Sequence, residues 1–407
     1  MEITIKIWSN WMSWINLLHE ATLDAETPRS FILWSGICSI SAVVSPNVWL
    51  NKAGKYHLSP NIYCLLVAKS GLGKSLPISM AKKLVTMVGN TRVISGRSTI
   101  QKIIMDLSKS ETDEKTGIAR FKDARGFIVS GEFSVSMQSD TDLFTILTDI
   151  YDTHANADGW VNSTKAGGAE YLKAPCVTLF SGSSPEHFEE FVPKVNIAGG
   201  FIGRTLLIYE EKRWRLNPLV DEDMADIDFV KLSCHLKKLK DLSGGFKWTP
   251  TAKKVYIDWY EDFRPRDHDD KTGTAERFPD HILKVAMCLS LSKGVELILR
   301  EEDISEALKL CMKLRHSVKV LTSSSGKSNT AAQTRAALEL ILKSPEGKIS
   351  REYLLQRGFG DFNSTELDQI VETLIQSGFI QQTGTKVIVY SISERGKQIW
   401  EQAKEKS

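Results

Sequence analysis

The sequence lacks the features that mark a membrane or secreted protein. No run of eighteen apolar residues occurs, and the first stretch, "MEITIKIWSNWMSWINLLHEAT", has no apolar segment followed by a small-residue cleavage site. Neither a transmembrane helix nor a secretory signal peptide is therefore predicted. We expect a cytoplasmic protein with no membrane partner.

Closely spaced cysteine pairs are also lacking. None of the six cysteines stands in a C-x-x-C pair, the spacing typical of zinc sites and redox motifs. Most have apolar neighbours, so we expect reduced thiols in a hydrophobic core rather than a disulfide scaffold or a zinc site. The six are Cys38, Cys64, Cys176, Cys234, Cys288 and Cys311.

A strong net charge is the third missing feature. The chain has 52 Lys and Arg against 50 Asp and Glu, a formal net charge of +2. Any contact with nucleic acid must therefore come from a local basic patch, because the overall field is weak. With 407 residues, 42% of them hydrophobic and 25% charged, the chain is long enough for two or three domains with a sizeable core.

The order of apolar patterns predicts an α/β protein. Between about residues 61 and 210, strand-length runs such as "IYCLLVA", "GFIVS" and "TLLIYE" alternate with helical stretches, as in a parallel sheet covered by helices. The predicted parts are an N-terminal helical segment (1–60), an α/β core (61–215), a helical region (216–322), a flexible linker (323–330) and a C-terminal domain with the element order of a winged helix (331–407).

One continuous run, "IYCLLVAKSGLGKSLPISMAKKLVTMV", contains every part of a phosphate-binding loop. Such a loop needs a strand, a Gly-rich turn, a Lys for the β and γ phosphates, a Ser or Thr for Mg²⁺, and a helix. We predict ATP and Mg²⁺ as cofactors, with Lys74 on the phosphates and Ser75 on the metal. The predicted binding residues are Ser70, Gly71, Leu72, Gly73, Lys74 and Ser75.

The motif has one departure and one alternative. Ala68 stands where the G-x-x-x-x-G-K-[ST] pattern has its first glycine. The alternative interpretation is a solvated glycine turn, but the flanking strand and helix favour the phosphate loop.

A second strand supplies an acid. In "RGFIVSGEF", Glu132 follows an apolar run and is predicted to orient the attacking water in a nucleoside triphosphatase. Gly131 stands where such enzymes have an Asp that helps to hold Mg²⁺. The alternative is that Glu132 caps the next helix.

With these motifs, the segments "GEFSVSM", "STKAGGAEYLKAPCVTLFSGSSP" and "GGFIGRTLLIYEEK" resemble successive parts of minichromosome-maintenance-type AAA+ helicases, over roughly residues 60–407. The chain is also similar to the ATPase region of uncharacterised phage and mobile-element proteins. The resemblance implies an AAA+ core at 61–215, a helical lid at 216–322, a homo-oligomeric ring expected to be a hexamer, and DNA, single-stranded or forked, as a partner.

The resemblance also implies roles for four residues. Lys165 corresponds to the lysine of a hairpin that grips the DNA backbone, and a lysine on a hairpin tip suits phosphate contact without base reading. Ser184 corresponds to a sensor residue near the γ-phosphate. Arg204 corresponds to an arginine finger that reaches the neighbouring subunit's nucleotide. Arg277 corresponds to a second sensor arginine at the start of a lid helix.

Each role has a structural alternative that the sequence leaves open. Lys165 is then a solvated loop lysine. Ser184, with Ser183, caps the helix that begins at "PEHFEEF". Arg204 forms an ion pair within its own chain. Arg277 is a surface arginine at a helix start.

Two features of this chain differ from the helicase pattern. The sixty residues before the nucleotide strand have no counterpart of the family's N-terminal barrel and zinc ribbon. Two alternatives stay open: encircling DNA needs a partner protein, or the N-terminal helices do other work. The third helix of the C-terminal domain contains Glu366, Asp368 and Glu372 and no Lys or Arg. Ten Lys and Arg balance ten Asp and Glu over residues 331–407. Contact with protein, or with DNA through the wing, is favoured over base reading.

The sequence thus supports an ATPase and DNA helicase that acts as a ring in replication of a phage or other mobile genetic element. One alternative is a DNA-associated ATPase switch, such as a helicase loader or transposition regulator, that separates no strands; the missing Asp at position 131 is its best support. Another is a nucleotide-sensing transcription regulator, which the acidic third helix disfavours.

Overall fold

The chain is described by a computed structural model over residues 13–52, 56–96, 98–109, 123–133, 142–152, 159–164, 168–191, 200–218, 227–264, 274–325, 329–384 and 387–398. It divides into two compact units, Met1–Thr322 and Ser323–Ser407. The elements are numbered below in chain order.

The first unit begins with elements that pack beneath the central sheet. They are α1 (Trp14–Glu20), α2 (Arg29–Val44), β1 (Val48–Lys52) and β2 (Tyr56–Leu58). Helix α2, "RSFILWSGICSISAVV", is apolar on all sides and buried over nearly its whole length, as expected of a helix that has no solvent-facing side. The predicted N-terminal segment is thus part of the core, and it also contains the antiparallel pair β1–β2.

The α/β core follows, built around five strands. Its elements are β3 (Tyr63–Val67), α3 (Ser75–Val88), β4 (Arg92–Ser95), α4 (Ile100–Ser108), β5 (Arg125–Ser130), α5 (Asp142–Asp152), β6 (Trp160–Thr164), β7 (Gly168–Leu172), β8 (Cys176–Ser183), α6 (Pro185–Phe191), α7 (Phe201–Arg204) and β9 (Thr205–Tyr209). The sheet has the order β4-β5-β8-β3-β9, and every pairing in it is parallel. The prediction of an α/β fold with a parallel sheet is confirmed.

Helices cover both faces of this sheet, because its strands alternate their apolar side chains between two cores. Cys64, Leu66 and Phe180 face one core with α2 and α3. Tyr63 and Leu65 face the other, with α4 and α5. Strand β3 lies inside the sheet between β8 and β9, so the order of the strands reverses at this point. In open α/β sheets, ligands bind at the carboxyl ends of the strands beside such a reversal.

The first unit closes with a mainly helical part. Its elements are α8 (Phe229–Leu239), β10 (Gly244–Gly245), β11 (Lys247–Trp248), α9 (Pro250–Phe263), α10 (Thr274–Lys293), β12 (Ile298–Leu299) and α11 (Glu301–Ser325). Strand β10 pairs with β1, and buried residues of α8 and α10 share one core with α2. This region therefore belongs to the same compact unit as the N-terminal segment.

The second unit has a core of its own. Its elements are α12 (Asn329–Leu342), β13 (Lys348–Ser350), α13 (Arg351–Arg357), α14 (Ser364–Gln376), β14 (Ile380–Thr383) and β15 (Val389–Ile392). The three strands form an antiparallel sheet in the order β13-β15-β14. The predicted linker at 323–330 differs from the structure at both ends, since α11 continues to Ser325 and α12 begins at Asn329.

All six cysteines lie in described residues, and none forms a disulfide. Five are buried, whereas Cys234 is exposed. The core thiols are as the sequence predicts, and Cys234 is the exception.

Candidate functional site

The carboxyl edge of the parallel sheet brings together the 68–75 loop, Glu132 and Ser184, which are among the residues predicted to bind and hydrolyse ATP. In the strand register Val67 is opposite Ser183 and Ser130 is opposite Ser181. The loops that follow β3, β5 and β8 therefore leave the sheet side by side. They contain the 68–75 loop, Glu132 and Ser184 respectively.

Two glycines shape the 68–75 loop. Gly71 and Gly73 have φ angles of +80° and +83°, values that glycine adopts without strain. A Cβ at Gly73 would also lie 2.6 Å from Thr27 Oγ1, whose hydroxyl donates to the Gly73 carbonyl over 3.1 Å. No atom of the described residues lies within 4 Å of the Cβ position at Gly71, so these residues leave that side of the loop open.

Lys74 and Ser75 stand where the loop turns into α3. The Lys74 ammonium donates to the carbonyls of Ala68 and, over 3.2 Å, Lys69. Burial lowers the pKa of Lys74, and the nearby carboxylates of Glu132 and Glu186 act in the opposite direction. Ser75 is exposed at the first position of α3, where free backbone N–H groups favour an anion.

Glu132 faces this loop from the end of β5. Its Oε1 lies 3.3 Å from His187 Nδ1 on α6, and the side chains of Glu132 and His187 are 32% and 40% exposed. The main chain before it is held by Ser181, whose hydroxyl donates to the Ser130 carbonyl over 2.7 Å. Glu132 is therefore placed to act on a water molecule beside Lys74, and His187 can orient the Glu132 carboxylate.

Gly131 has open space around it among the described residues. None of their atoms lies within 4 Å of the Cβ position, so those residues leave space for an Asp side chain. Among the described residues, the Ser75 hydroxyl and the Glu132 carboxylate are candidate ligands for a magnesium ion, and the Glu186 carboxylate also acts on Lys74. This set suits Mg²⁺ in one respect, because Mg²⁺ keeps several water ligands and uses only one or two carboxylates.

Ser184 caps α6. Its Oγ accepts the His187 N–H over 3.2 Å, which is the structural alternative for this residue. The Glu186 backbone N–H and the Ser184 hydroxyl also hydrogen-bond the Glu186 carboxylate and lower its pKa. The predicted contact with a phosphate oxygen therefore requires the Ser184 hydroxyl to turn away from Glu186.

Three residues near the 68–75 loop were missed by the sequence analysis. Thr27 contacts Gly73 as described, and Arg213 Nη2 donates to the Gly71 carbonyl over 3.1 Å. Arg213 also forms an ion pair with Glu26. These residues come from segments almost 200 positions apart, so no local pattern signals them.

Arg204 and Arg277 lie at the opposite, amino edge of the sheet. Thr205 is opposite Tyr63 at the start of β3, so Arg204 is separated from the 68–75 loop by the length of that strand, about 17 Å for five residues. Arg204 Nη2 and Arg277 Nη1 lie 3.0 Å and 2.7 Å from Asp152 Oδ2. The intrachain ion pair that was the alternative for Arg204 is present.

A buried lysine completes this amino-edge cluster, defined here as Asp152, Arg204, Arg277 and Lys284. Lys284 Nζ donates to Asn61 Oδ1 over 2.8 Å and lies 3.9 Å from the centre of the Tyr151 ring. Burial lowers the pKa of Lys284 to about 8, although Asp152 opposes that shift.

His281, one turn after Arg277, joins α10 to α7. Its Nε2 lies 2.8 Å from the Gly203 carbonyl, and its buried Nδ1 has no hydrogen-bond partner among the residues described. Burial lowers the pKa of His281 to about 4, against the effect of the Gly203 hydrogen bond. The folded protein therefore holds this imidazole neutral at neutral pH.

We expect His281 to make the protein less stable in mild acid. An unfolded histidine binds its proton near pH 6.5, whereas folded His281 does so near pH 4. The unfolded state thus binds more protons between these values, and stability is lost as the pH falls through them. Urea unfolding at pH 7 and pH 4.5 should show a loss for the wild type about 2 kcal/mol larger than for His281→Gln. Equal losses would contradict the assignment, and His57→Gln, at an exposed histidine, is the matched control.

Lys165 lies outside the described residues. Strands β6 and β7 on either side of it pair antiparallel, with Thr164 opposite Gly168, so residues 165–167 connect the two strands of a hairpin. The two antiparallel strands expected on either side of Lys165 are present.

The described residues contain neither a cluster of metal-binding side chains nor a helix that could span a membrane. No group of three or more His, Cys, Asp or Glu side chains there could hold a metal ion. No helix in the same residues combines the length and apolar character needed to span a bilayer.

No protein-family model matches the chain, and a search of the curated proteins finds no match either. The functional assignment therefore rests on the geometry of the two sheet edges.

Proposed function

We propose that this protein is an ATP-hydrolysing AAA+ enzyme that works as a ring, expected to be a hexamer, and moves along DNA as a translocase or helicase. One observation carries the proposal. The 68–75 loop and Glu132 meet at the carboxyl edge of a parallel sheet, while two arginines are held at the amino edge of the same sheet. This arrangement supports a hydrolytic site at one edge of the sheet and, on a separate surface, cationic groups that such a site would not use.

The residues at the carboxyl edge divide the hydrolytic work. The backbone N–H groups of the 68–75 loop and the start of α3 bind the phosphates, and Lys74 moves from the Ala68 and Lys69 carbonyls to neutralise their charge. Ser75 would hold Mg²⁺, which lowers the charge on the phosphates when bound. Glu132 orients the attacking water, and His187 fixes the Glu132 carboxylate.

The arginines at the amino edge act on a neighbouring subunit. Arg204 cannot reach the phosphates of its own chain, because β3 separates it from the 68–75 loop. A guanidinium presented to a second subunit would stabilise charge on the transferring phosphoryl group there. A ring in which each amino edge faces the next carboxyl edge satisfies this requirement at every interface.

The β6–β7 hairpin is the proposed contact with DNA. We expect Lys165→Ala to weaken DNA binding several-fold at low salt and to reduce unwinding, with basal hydrolysis almost unchanged, because one lost phosphate contact removes a salt-dependent charge interaction. Fluorescence anisotropy with single-stranded DNA at several salt concentrations measures this. Lys173→Ala, eight residues further along, is the control. Unchanged DNA affinity and unwinding would return Lys165 to the solvated-loop alternative.

The second unit is proposed to be a winged helix that contacts protein, or DNA through its wing. Its elements follow the order helix, strand, helix, helix, strand, strand. On α14, Glu366 accepts the Asn363 N–H in a capping box, and Asp368 pairs with Arg351 over 2.8 Å. Both acids thus have structural roles on the helix that would otherwise read bases, which disfavours a transcription regulator.

The test of the proposed function is strand displacement on forked DNA with ATP, beside ATPase rates with and without DNA. Unwinding together with DNA-stimulated hydrolysis supports the helicase. The ATPase switch is the second candidate, favoured by Gly131, where an Asp would fit but is absent. Hydrolysis stimulated by DNA without unwinding would select the switch, and no nucleotide binding at all would overturn both.

A further inference from the structure

One carboxylate oxygen receives both arginines of the amino edge. Asp152 Oδ2 accepts hydrogen bonds from Arg204 Nη2 over 3.0 Å and Nε over 3.3 Å. The same oxygen accepts one from Arg277 Nη1 over 2.7 Å. The three residues come from the end of α5, from α7 and from the start of α10, so the Asp152 carboxylate joins three elements. The adjacent Tyr151 ring faces the same elements, with Arg204 Cζ 5.9 Å and Lys284 Nζ 3.9 Å from its centre, but Asp152 is the group that accepts hydrogen bonds from both arginines.

Asp152 also balances an excess of positive charge. Lys284, buried and close enough to act on it electrostatically, is a third cation beside the two arginines. Asp280, on the same helix as Arg277, forms an ion pair with Lys52. Burial alone would raise the pKa of Asp152, but Lys284, Arg277 and Arg204 together lower it. Without this carboxylate the two guanidinium groups would repel one another.

The pair remains usable by a second molecule. Arg277 has a 31% exposed side chain, and one of its five N–H groups is engaged with Asp152. Arg204 is 13% exposed and is held more firmly, with Nη1 also donating to the Gly200 carbonyl over 3.1 Å. A Cβ at Gly200 would lie 2.6 Å from that Nη1, so the glycine makes room for the guanidinium.

We propose that Asp152 is the positioning residue that orients Arg204 and Arg277 as one unit toward the nucleotide of the adjacent subunit. This inference rests on the proposed ring ATPase. Asp152 itself touches no nucleotide, either in its own subunit or in the next one, and it acts through the two arginines. Its loss therefore harms the subunit that supplies the arginines and leaves the 68–75 loop of that subunit intact.

The test uses full-length Asp152→Asn alone and in two mixtures. Alone, this variant should bind ATP and assemble like the wild type but hydrolyse at least ten-fold more slowly. Mixed with Glu132→Gln it should regain activity, because an Asp152→Asn subunit supplies Glu132 and its neighbour supplies correctly held arginines. Mixed with Arg204→Ala it should stay inactive, because every interface then lacks a working arginine. A structural defect would not distinguish between the two mixtures.

Two variants serve as controls. Asp152→Glu, which keeps the charge but moves it by one methylene, should restore part of the lost rate. Asp258→Asn, at an exposed position on α9, should hydrolyse at the wild-type rate. If Asp152→Asn fails to fold, the same mixtures can be made in a Lys284→Met background, which removes one of the three cations that the missing carboxylate balanced.

Several results would overturn the inference. Hydrolysis by Asp152→Asn at the wild-type rate would show that the arginines need no such support. A faster rate would show that Asp152 withholds them instead. A third mixture, Arg204→Ala with Glu132→Gln, tests the ring mechanism without changing Asp152. If this mixture recovers activity but the mixture of Asp152→Asn with Glu132→Gln does not, the positioning role of Asp152 is wrong and the ring mechanism stands. If neither mixture recovers although mixed rings form, the proposed ring mechanism itself is wrong, and the role of Asp152 with it.

Discussion

Lys74→Ala should weaken ATP binding about 100-fold, whereas Glu132→Gln should bind ATP normally and hydrolyse it at least about 100-fold more slowly. The two residues face each other across the carboxyl edge but contribute at different stages. Lys74 supplies charge-assisted contacts to the phosphates in the bound state, worth about 3 kcal/mol, or about 100-fold in affinity. Glu132 supplies a carboxylate that acts on water only during the reaction, and its amide replacement has nearly the same shape.

The measurements are binding of a fluorescent ATP analogue and release of inorganic phosphate. Lys82→Ala is the matched control for the first variant, because Lys82 lies on the exposed side of the same helix. Normal nucleotide affinity in Lys74→Ala would leave the 68–75 loop as a solvated glycine turn. Normal turnover in Glu132→Gln would return Glu132 to a helix-capping role and shift attention to other groups at this edge.

The strand, turn and helix around the 68–75 loop were predictable because they follow one another without interruption. Strand β3, the glycine turn and α3 occupy one run of the sequence, and each has a local signature: a short apolar run, two glycines and a helical apolar repeat. The parallel sheet was predictable for the same reason, since each strand is a separate apolar run. The order of the strands within the sheet was not predictable, because strand neighbours depend on contacts between distant segments.

The amino-edge cluster shows what local patterns miss. Asp152 lies 52 positions before Arg204 and 125 before Arg277, and its sequence neighbours read only as the end of an amphipathic helix. The same holds for α2, whose helical character was evident but whose position beneath the sheet was not. An apolar helix can be buried against any surface of matching shape, so the sequence alone leaves its partner open.

The second large effect concerns Arg204. Arg204→Ala subunits should bind ATP normally and hydrolyse it on the order of 10³-fold more slowly, because an arginine supplied across an interface stabilises charge mainly in the transition state. The fold should tolerate this change, since Asp152 keeps Arg277 and Lys284 as partners. Arg300→Ala, which removes a surface ion pair with Glu296, controls for the loss of an arginine in general, and thermal melting checks that both variants fold.

Mixing separates a residue that acts across an interface from one that acts within its own chain. In rings that contain both Arg204→Ala and Glu132→Gln, some interfaces combine the intact Glu132 of the first variant with the intact Arg204 of the second. For a random equal mixture about one interface in four has this composition, so hydrolysis should return to a substantial fraction of the wild-type rate although each variant alone is nearly inactive. A residue needed inside its own subunit would show no such recovery, because no subunit in the mixture has both groups. If mixed rings form and remain inactive, the ion pair with Asp152 is the whole role of Arg204, and the enzyme must complete its site without a neighbour.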